Sequence, residues 1–291
     1  MREKNYAKLN KDSLFFIYKT SHNYDRNTEL YDSVIKLVKS TEDKSKAEAV
    51  IVIGGDGSLL DVVRDDSLKG LPVLPINGGT VGKNLIDVAP EEIGDFISNF
   101  LLKGKCILLK FPKLVVSVID ENNVTYQFSA FNDIWVDRQE SLSVRYELAI
   151  QDEAFDQEIE FISDSFISGD GVLFATPMGS TGYSRLLSET VLPLHKNTMM
   201  VNPMNCMVLA SKRIVHSFAA AKDQKIHVSF KDIDFRKNRL AVEGVYLTNN
   251  DQYINVKELT IHLESEGKEY LEIIARKKED FVKKQMSFIA R

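Results

Sequence analysis

The stretch Ala49-Val50-Ile51-Val52-Ile53-Gly54-Gly55-Asp56-Gly57-Ser58-Leu59-Leu60 limits the fold of this chain more than any other segment. Its unbroken apolar run reads as a strand buried on both faces, as in a sheet covered by helices. Leu59, Leu60, Val62 and Val63 then begin a helix. Between the two lie three glycines around one carboxylate. Glycines let a backbone turn through conformations closed to other residues and bring bare NH groups against a ligand, and the helix start favours an anion. Asp56 would repel a bound phosphate there unless it has a metal to hold or a proton to remove. The alternative is a tight strand-to-helix turn with Asp56 as its N-cap.

The first hundred residues continue that alternation. Leu14 to Tyr18 reads as a strand, Leu30, Val34, Leu37 and Val38 recur at helical spacing, and another strand is expected from Leu71 to Ile76. Pro90 opens a helix in which Ile93, Phe96, Ile97, Phe100 and Leu101 share a face until Gly104. This pattern predicts a Rossmann-like, doubly wound α/β domain whose ligands bind at the carboxyl ends of the strands, where Gly54 to Gly57 and Asn77 to Gly82 lie. After Lys105 the pattern changes to strands separated by turns: 115–119, 125–132, 144–150, 226–230, 240–245, 259–263 and 270–275. A β-sandwich-like second domain is expected there, followed by a short helix or extended tail over 277–289. The predicted boundaries are 1–105, 106–275 and 276–291.

A chain of 291 residues can hold two cores, and its formal charge of -5 offers no broad attraction to nucleic acid or to an anionic membrane. Cys106 and Cys206 stand apart, outside any CxxC or His cluster, which argues against a disulfide framework or zinc site. Met1-Arg2-Glu3-Lys4-Asn5 carries no apolar signal core and no 18-residue apolar run occurs, so a cytoplasmic protein is expected. Gly78-Gly79-Thr80-Val81-Gly82-Lys83-Asn84 imitates a Walker A loop, but it is one residue short and has Asn84 where Ser or Thr would meet magnesium.

Four blocks carry a resemblance. Gly54-Gly55-Asp56-Gly57-Ser58 is similar to the GGDG[TS] signature of the NAD kinase family, which lipid kinases share in looser form. Asp170-Gly171-Val172-Leu173-Phe174-Ala175-Thr176-Pro177-Met178-Gly179-Ser180-Thr181-Gly182-Tyr183-Ser184 resembles the family's DG-x(4)-TP-x-GSTAY segment, which lipid kinases lack. Asn132-Asp133 sits where the family has an Asn-Glu or Asn-Asp pair, and Pro75-Ile76-Asn77-Gly78-Gly79-Thr80-Val81-Gly82 is similar to its GIN-x-G-x-LG turn.

The resemblance implies transfer of the γ-phosphoryl group of ATP, with Mg2+, to the 2′-hydroxyl of the adenosine ribose of NAD. Asp56 becomes the proton acceptor. It assigns Gly57, Asn132, Asp133, Asp170, Thr181, Gly182, Tyr183 and Ser184 to NAD, and Gly54, Gly55, Asn77, Ser180 and Arg185 to ATP or phosphate; no residue is assigned as a metal ligand. Asn132 would meet the adenine edge and Asp133 its amine, Asp170 the nicotinamide-side ribose or amide, and Tyr183 would offer a stacking face. The resemblance also implies a homodimer or homotetramer and a tail that packs on the first domain. Other readings stay open: Asn132-Asp133 as a strand-end pair, Asp170 as a turn holder, and Arg185 as a solvated charge. Departures are Lys83, Met178, Gly182, Ser168, and Arg185-Leu186-Leu187-Ser188-Glu189 where the family has Ser followed by a Gly-Gly pair. Glu243-Gly244 resembles a late Asp-Gly turn and reads as structural. The altered loop keeps a catalytically silent NAD(P)-binding sensor in view, and the shared signature keeps a kinase of lipids or other alcohols.

Overall fold

A computed structural model describes residues 2–6, 8–19, 25–79, 81–152, 160–161, 166–207, 215–264 and 270–289. Thr80 of the glycine turn therefore lies outside the described residues, as does 208–214. The chain divides into two compact units, Met1–Phe111 with Lys268–Arg291, and Pro112–Gly267.

The first unit holds a seven-stranded sheet in the order Arg2–Tyr6, Cys106–Phe111, Leu271–Ala275, Val73–Asn77, Ala49–Gly54, Leu14–Lys19, Lys39–Ser40. Leu271–Ala275 and the four strands after it in that order are mutually parallel, whereas Cys106–Phe111 runs antiparallel to both its neighbours. Every residue of Ala49–Gly54 and Val73–Asn77 is buried, because these central strands have protein on both faces.

Two strands that fall within the range expected for the second domain, 106–275, belong to this first sheet: Cys106–Phe111, which the sequence pattern did not predict, and Leu271–Ala275, which it did. Cys106-Ile107-Leu108-Leu109 is a continuous buried run, and in Leu271–Ala275 only Glu272 is less than buried. By contrast, Lys113–Asp120 alternates from Val115 onward, as a strand with one covered face does. Continuous rather than alternating burial is the physical mark of the helix-covered sheet. The helix predicted from Pro90 is less regular than its periodicity implies: a 3-10 turn Pro90–Glu92, a single α turn Ile93–Phe96, and a π turn Ile97–Leu101. Gly104, at φ 62°, closes it. The segment 277–289 contains the helix Glu279–Ile289, whose Phe281 meets Phe111 edge to face with ring centroids 6.1 Å apart.

The second unit is built from antiparallel sheets. One runs Glu160–Phe161, Val144–Asp152, Gln224–Lys231, Val256–Glu264, Lys113–Asp120, Thr125–Ala130, with Ile167–Gly169 also on Val144–Asp152. The other runs Phe218–Ala221, Thr198–Met204, Gly171–Ala175, Asp133–Arg138, Asn238–Val242, Val245–Tyr246. Val116, Leu148, Val228 and Ile261 of the first share a core with Ile134, Phe174, Val201 and Leu240 of the second. That is a sandwich. The outer face of the second sheet is apolar too, since Trp135, Leu173, Met200 and Ala241 form a second cluster with Leu187 and Tyr246 packed against it. No helix among the described residues is long and apolar enough to cross a membrane.

Candidate functional site

In the first unit the strand Ala49–Gly54 passes through Gly55 into the helix Asp56–Arg64. Gly55 is the N-cap, so Asp56 is the first helical residue rather than a cap. Its carboxylate points away from its own helix: Oδ2 accepts from the Lys83 amide and Oδ1 from the Asn84 amide, each at 2.8 Å. Both bonds come from the turn after Val73–Asn77, so this carboxylate is oriented by backbone on the neighbouring strand's loop. A carboxylate has about four acceptor positions, which leaves capacity on each oxygen.

The glycines do not act through left-handed backbone, as the sequence suggests. Gly55 sits at φ -108° and ψ -172°, and neither it nor Gly57 has positive φ. Their contribution is space: a Cβ at Gly55 or Gly57 would meet no atom within 4 Å. Gly54 ends the strand by accepting the Gly78 amide at 2.9 Å, which fixes the next loop against it.

Asn77 is buried at 4% exposure. Its Nδ2 donates to Asp87 Oδ1 at 2.6 Å and its Oδ1 accepts from the Gly79 amide at 3.0 Å. Both ends of the amide are thus engaged within the protein, so Asn77 shapes the turn that serves Asp56. Gly82, at φ +46°, presses on the same side chain, and a Cβ there would lie 2.4 Å from Asn77 Cγ. No helix follows Lys83-Asn84; the chain turns into Leu85-Ile86 instead, and Ile86 bridges to Ile76. The Walker-like spacing therefore lacks its helix.

In the second unit Asn132 and Asp133 stand at the entry of Asp133–Arg138. Asn132 Nδ2 donates to Asp133 Oδ2 at 3.1 Å. Asp133 is 3% exposed, and burial without a facing cation pushes its carboxyl up to about 7. The backbone before it is tied down from two sides. Glu243 Oε1 accepts from the amides of Phe131 and Asn132, and the Glu243 amide donates to Asp133 O at 3.0 Å. Thr176 Oγ1 donates to Phe131 O at 2.6 Å, while its amide donates to Asn132 O at 3.0 Å.

Gly179 and Gly182 face this knot. A Cβ at Gly179 would lie 2.0 Å from Asn132 O, and one at Gly182 would lie 3.8 Å from Asn132 Nδ2 and 4.0 Å from Asp133 Oδ2. The Asn132-Asp133 pair and the Thr176 to Tyr183 segment are therefore one assembly. Tyr183 closes it, 37% exposed, with its ring edge to face on Trp135 at 5.6 Å. Burial raises the Tyr183 hydroxyl's pKa, and the nearby charges of Asp137 and Asp170 raise it further. Asp170 is ion-paired with Arg138 at 2.8 Å and accepts from Asn205 Nδ2 at 2.8 Å.

Three residues assigned from the resemblance are buried. Ser180 is fully buried, its hydroxyl donating to Pro177 O and accepting from the Leu192 amide. Ser184, also fully buried, accepts from Asn202 Nδ2 at 2.9 Å. Thr181 is 4% exposed and donates to Met178 O at 3.1 Å. Each of these hydroxyls already makes a hydrogen bond within the protein. Arg185 stands half-buried on the helix Tyr183–Ser188, with no hydrogen bond or ion pair from its guanidinium among the described residues. Sequence reasoning missed Trp135, which shares edge-to-face contacts with Tyr183 and Tyr246, and Asp87, the partner of Asn77. The one available signal was Trp135 itself, the sole tryptophan, immediately after the Asn132-Asp133-Ile134 block.

The family model described as the ATP-NAD kinase N-terminal domain matches residues 3–103. A NAD kinase of Alcanivorax borkumensis is 30% identical over 220 residues, covering 74% of this chain and 68% of the relative. A NAD kinase of Solibacter usitatus is 30% identical over 163 residues, and there the chain spans about half, 52%, of the relative's length. The crystal structure of yeast NADH kinase complexed with NADH superposes with a TM-score of 0.76 at 15% identity, covering 97% of this chain and 88% of that one. An NAD kinase from Archaeoglobus fulgidus in complex with ATP gives 0.66 at 19% identity, covering 96% and 98%. At these identities the two structures speak for the fold.

Proposed function

Because the chain belongs to the NAD kinase family, we propose that it transfers the γ-phosphoryl group of ATP to the 2′-hydroxyl of the adenosine ribose of NAD, giving NADP and ADP. The observation that carries this reading is the setting of Asp56: a helix-start carboxylate held by two backbone amides, beside glycines with open space around them. As the new O–P bond forms, the ribose hydroxyl's proton passes to Asp56 and the bond from the γ-phosphorus to the bridging oxygen breaks, with ADP leaving. General-base assistance of this kind contributes roughly a hundredfold to ten-thousandfold. The glycine amides offer donors for the phosphates, since no side chain stands in their way.

Asn132 and Asp133 read the adenine. The amide gives both a donor and an acceptor, and the carboxylate accepts from an exocyclic amine. Tyr183 supplies the aromatic face, with Trp135 fixing its ring. Asp170, Thr181, Gly182, Ser180 and Ser184 shape the rest of this site, the hydroxyls of Ser180 and Thr181 by holding backbone and that of Ser184 by holding Asn202. Arg185 is the side chain available to ATP where the family's Gly-Gly pair is absent.

Mg2+ enters as part of the ATP substrate, where it spreads the charge of the phosphates. No group of three or more His, Cys, Asp or Glu that could hold a metal occurs among the described residues, and Mg2+ in such reactions is carried largely by phosphate oxygens and water. Cytoplasmic location and assembly as a homodimer or homotetramer complete the proposal, with exposed strand edges as the contacts.

The test is incubation of the purified protein with NAD, ATP and Mg2+, read through an NADP-specific dehydrogenase. NADP formation is expected. Binding of NAD with no NADP from either ATP or polyphosphate would replace the kinase with a silent sensor, and phosphorylation of a lipid alcohol in preference to NAD would move the substrate class.

A further inference from the structure

We infer that Lys284, on the C-terminal helix, is the positioning residue for Asp56. The inference rests on the proposed role of Asp56 as proton acceptor. Lys284 Nζ donates to Leu85 O and to Asp87 Oδ1, both at 2.8 Å. Its side chain is 12% exposed, while that of Asp87 is 61% exposed, so the ammonium is largely covered at the point where it binds the loop. Leu85 directly follows Lys83 and Asn84, whose amides orient the Asp56 carboxylate.

Asp87 Oδ1 also accepts from Asn77 Nδ2, and Asn77 sits on the strand paired with Ala49–Gly54. The segment from Gly82 to Asp87 is therefore pinned at one end by Lys284 and Asn77, and its middle delivers two amides to Asp56. A misplacement of about 1 Å in reacting groups can cost on the order of a hundredfold in rate. Ile86 stays tied to the sheet, its carbonyl accepting from the Asn77 amide at 2.8 Å and its amide donating to Pro75 O at 2.7 Å, so loss of the ammonium loosens the segment around that anchor rather than releasing it.

The helix itself does not depend on this lysine for docking. Phe281, 3% exposed, packs on Phe111, and Gln285 is 6% exposed. A cavity of about 360 Å3, lined among others by Leu85, Asp87, Arg276, Lys284 and Ser287, adjoins the lysine. It leaves room for the longer arginine side chain, which can restore both bonds.

The experiment compares full-length wild type with Lys284→Met and Lys284→Arg by amide hydrogen exchange at Lys83 and Asn84 and by steady-state kinetics of NADP formation. In Lys284→Met, protection of those two amides is expected to fall at least about tenfold, with kcat down by about tenfold to a hundredfold and KM for NAD within about twofold. Lys284→Arg is expected to restore most of both. Unchanged protection at Lys83 and Asn84 in Lys284→Met overturns the inference. So does loss of protection spread evenly over the helix and sheet, with Lys284→Arg no better, since that pattern is a general loss of stability. If the wild type forms no NADP, the catalytic reading fails by itself, and the exchange data still decide whether Lys284 holds the loop.

Discussion

Gly57 and Gly179 are the same residue type used for opposite reasons. A Cβ at Gly57 would meet nothing within 4 Å, whereas a Cβ at Gly179 would lie 2.0 Å from Asn132 O. The first glycine keeps space open beside Asp56 in the α/β unit. The second lets the 3-10 turn Gly179–Thr181 of the β unit approach the Asn132 backbone. The same contrast runs through the carboxylates. Asp56 is half-buried, with two amide donors and capacity left over, which fits its proposed role as proton acceptor. Asp133 is 3% exposed and shares a hydrogen bond with its neighbour Asn132, the pair proposed to read the adenine. One region is open around its carboxylate; the other is closed around its own.

The contrast breaks most directly at Asp56. Asp56→Asn is expected to lower NADP formation about a hundredfold to ten-thousandfold with NAD affinity within a few fold. The change is not a clean isostere here, because one of the two amides at Lys83 and Asn84 would then face an NH2 group; a stability loss of about 1–3 kcal/mol accompanies it. Turnover equal to wild type would remove Asp56 from the chemistry.

Asp133→Asn tests the closed region through pH. The folded-state carboxyl is raised to about 7 from 3.8, so between these values the folded protein holds a proton that the unfolded chain has released. Its contribution to stability is thus complete at pH below 3.8 and is lost as pH rises through 7. Wild type should lose stability relative to Asp133→Asn by on the order of 4 kcal/mol between pH 4 and 8. Denaturant titrations of both proteins across that range measure it, and a constant difference would mean the carboxylate is ionised throughout.

The glycines sharpen the comparison with smaller effects. Gly179→Ala should destabilise the protein by about 1–3 kcal/mol, because the methyl group must displace the Asn132 carbonyl. Adenosine affinity should fall with it. Gly57→Ala should leave stability unchanged or raise it by up to about 1 kcal/mol, since it lies in the helix Asp56–Arg64 with free space around it. In that variant the KM for NAD should rise while thermal midpoints hold. A destabilised Gly57→Ala together with an unaffected Gly179→Ala would reverse the assignment of open and closed regions.

The unbroken apolar run from Ala49 to Ile53 and the glycines after it were enough to read a buried parallel strand feeding a helix, because burial on both faces leaves no polar position to place. Alternation likewise announced the antiparallel unit. The motif blocks located Asp56, Asn132, Asp133 and Tyr183 in the chain. The allocation of Cys106–Phe111 and Leu271–Ala275 to the first sheet was foreshadowed by the apolar runs Cys106-Ile107-Leu108-Leu109 and Ile273-Ile274-Ala275 but obscured by their position among strands.

Partnership is what only the tertiary structure decided. Asp56 takes its donors from residues 27 and 28 positions away, and Glu243 reaches the Asn132 amide across 111. Ser180 and Ser184 belong to the most recognisable block of the chain, and the partners their hydroxyls accept from, the Leu192 amide and Asn202 Nδ2, lie 12 and 18 positions away. Periodicity reports which face of an element is buried, through interactions with its nearest neighbours in sequence. Which distant polar group meets another depends on strand order and register, and those are settled by how the whole apolar surface packs.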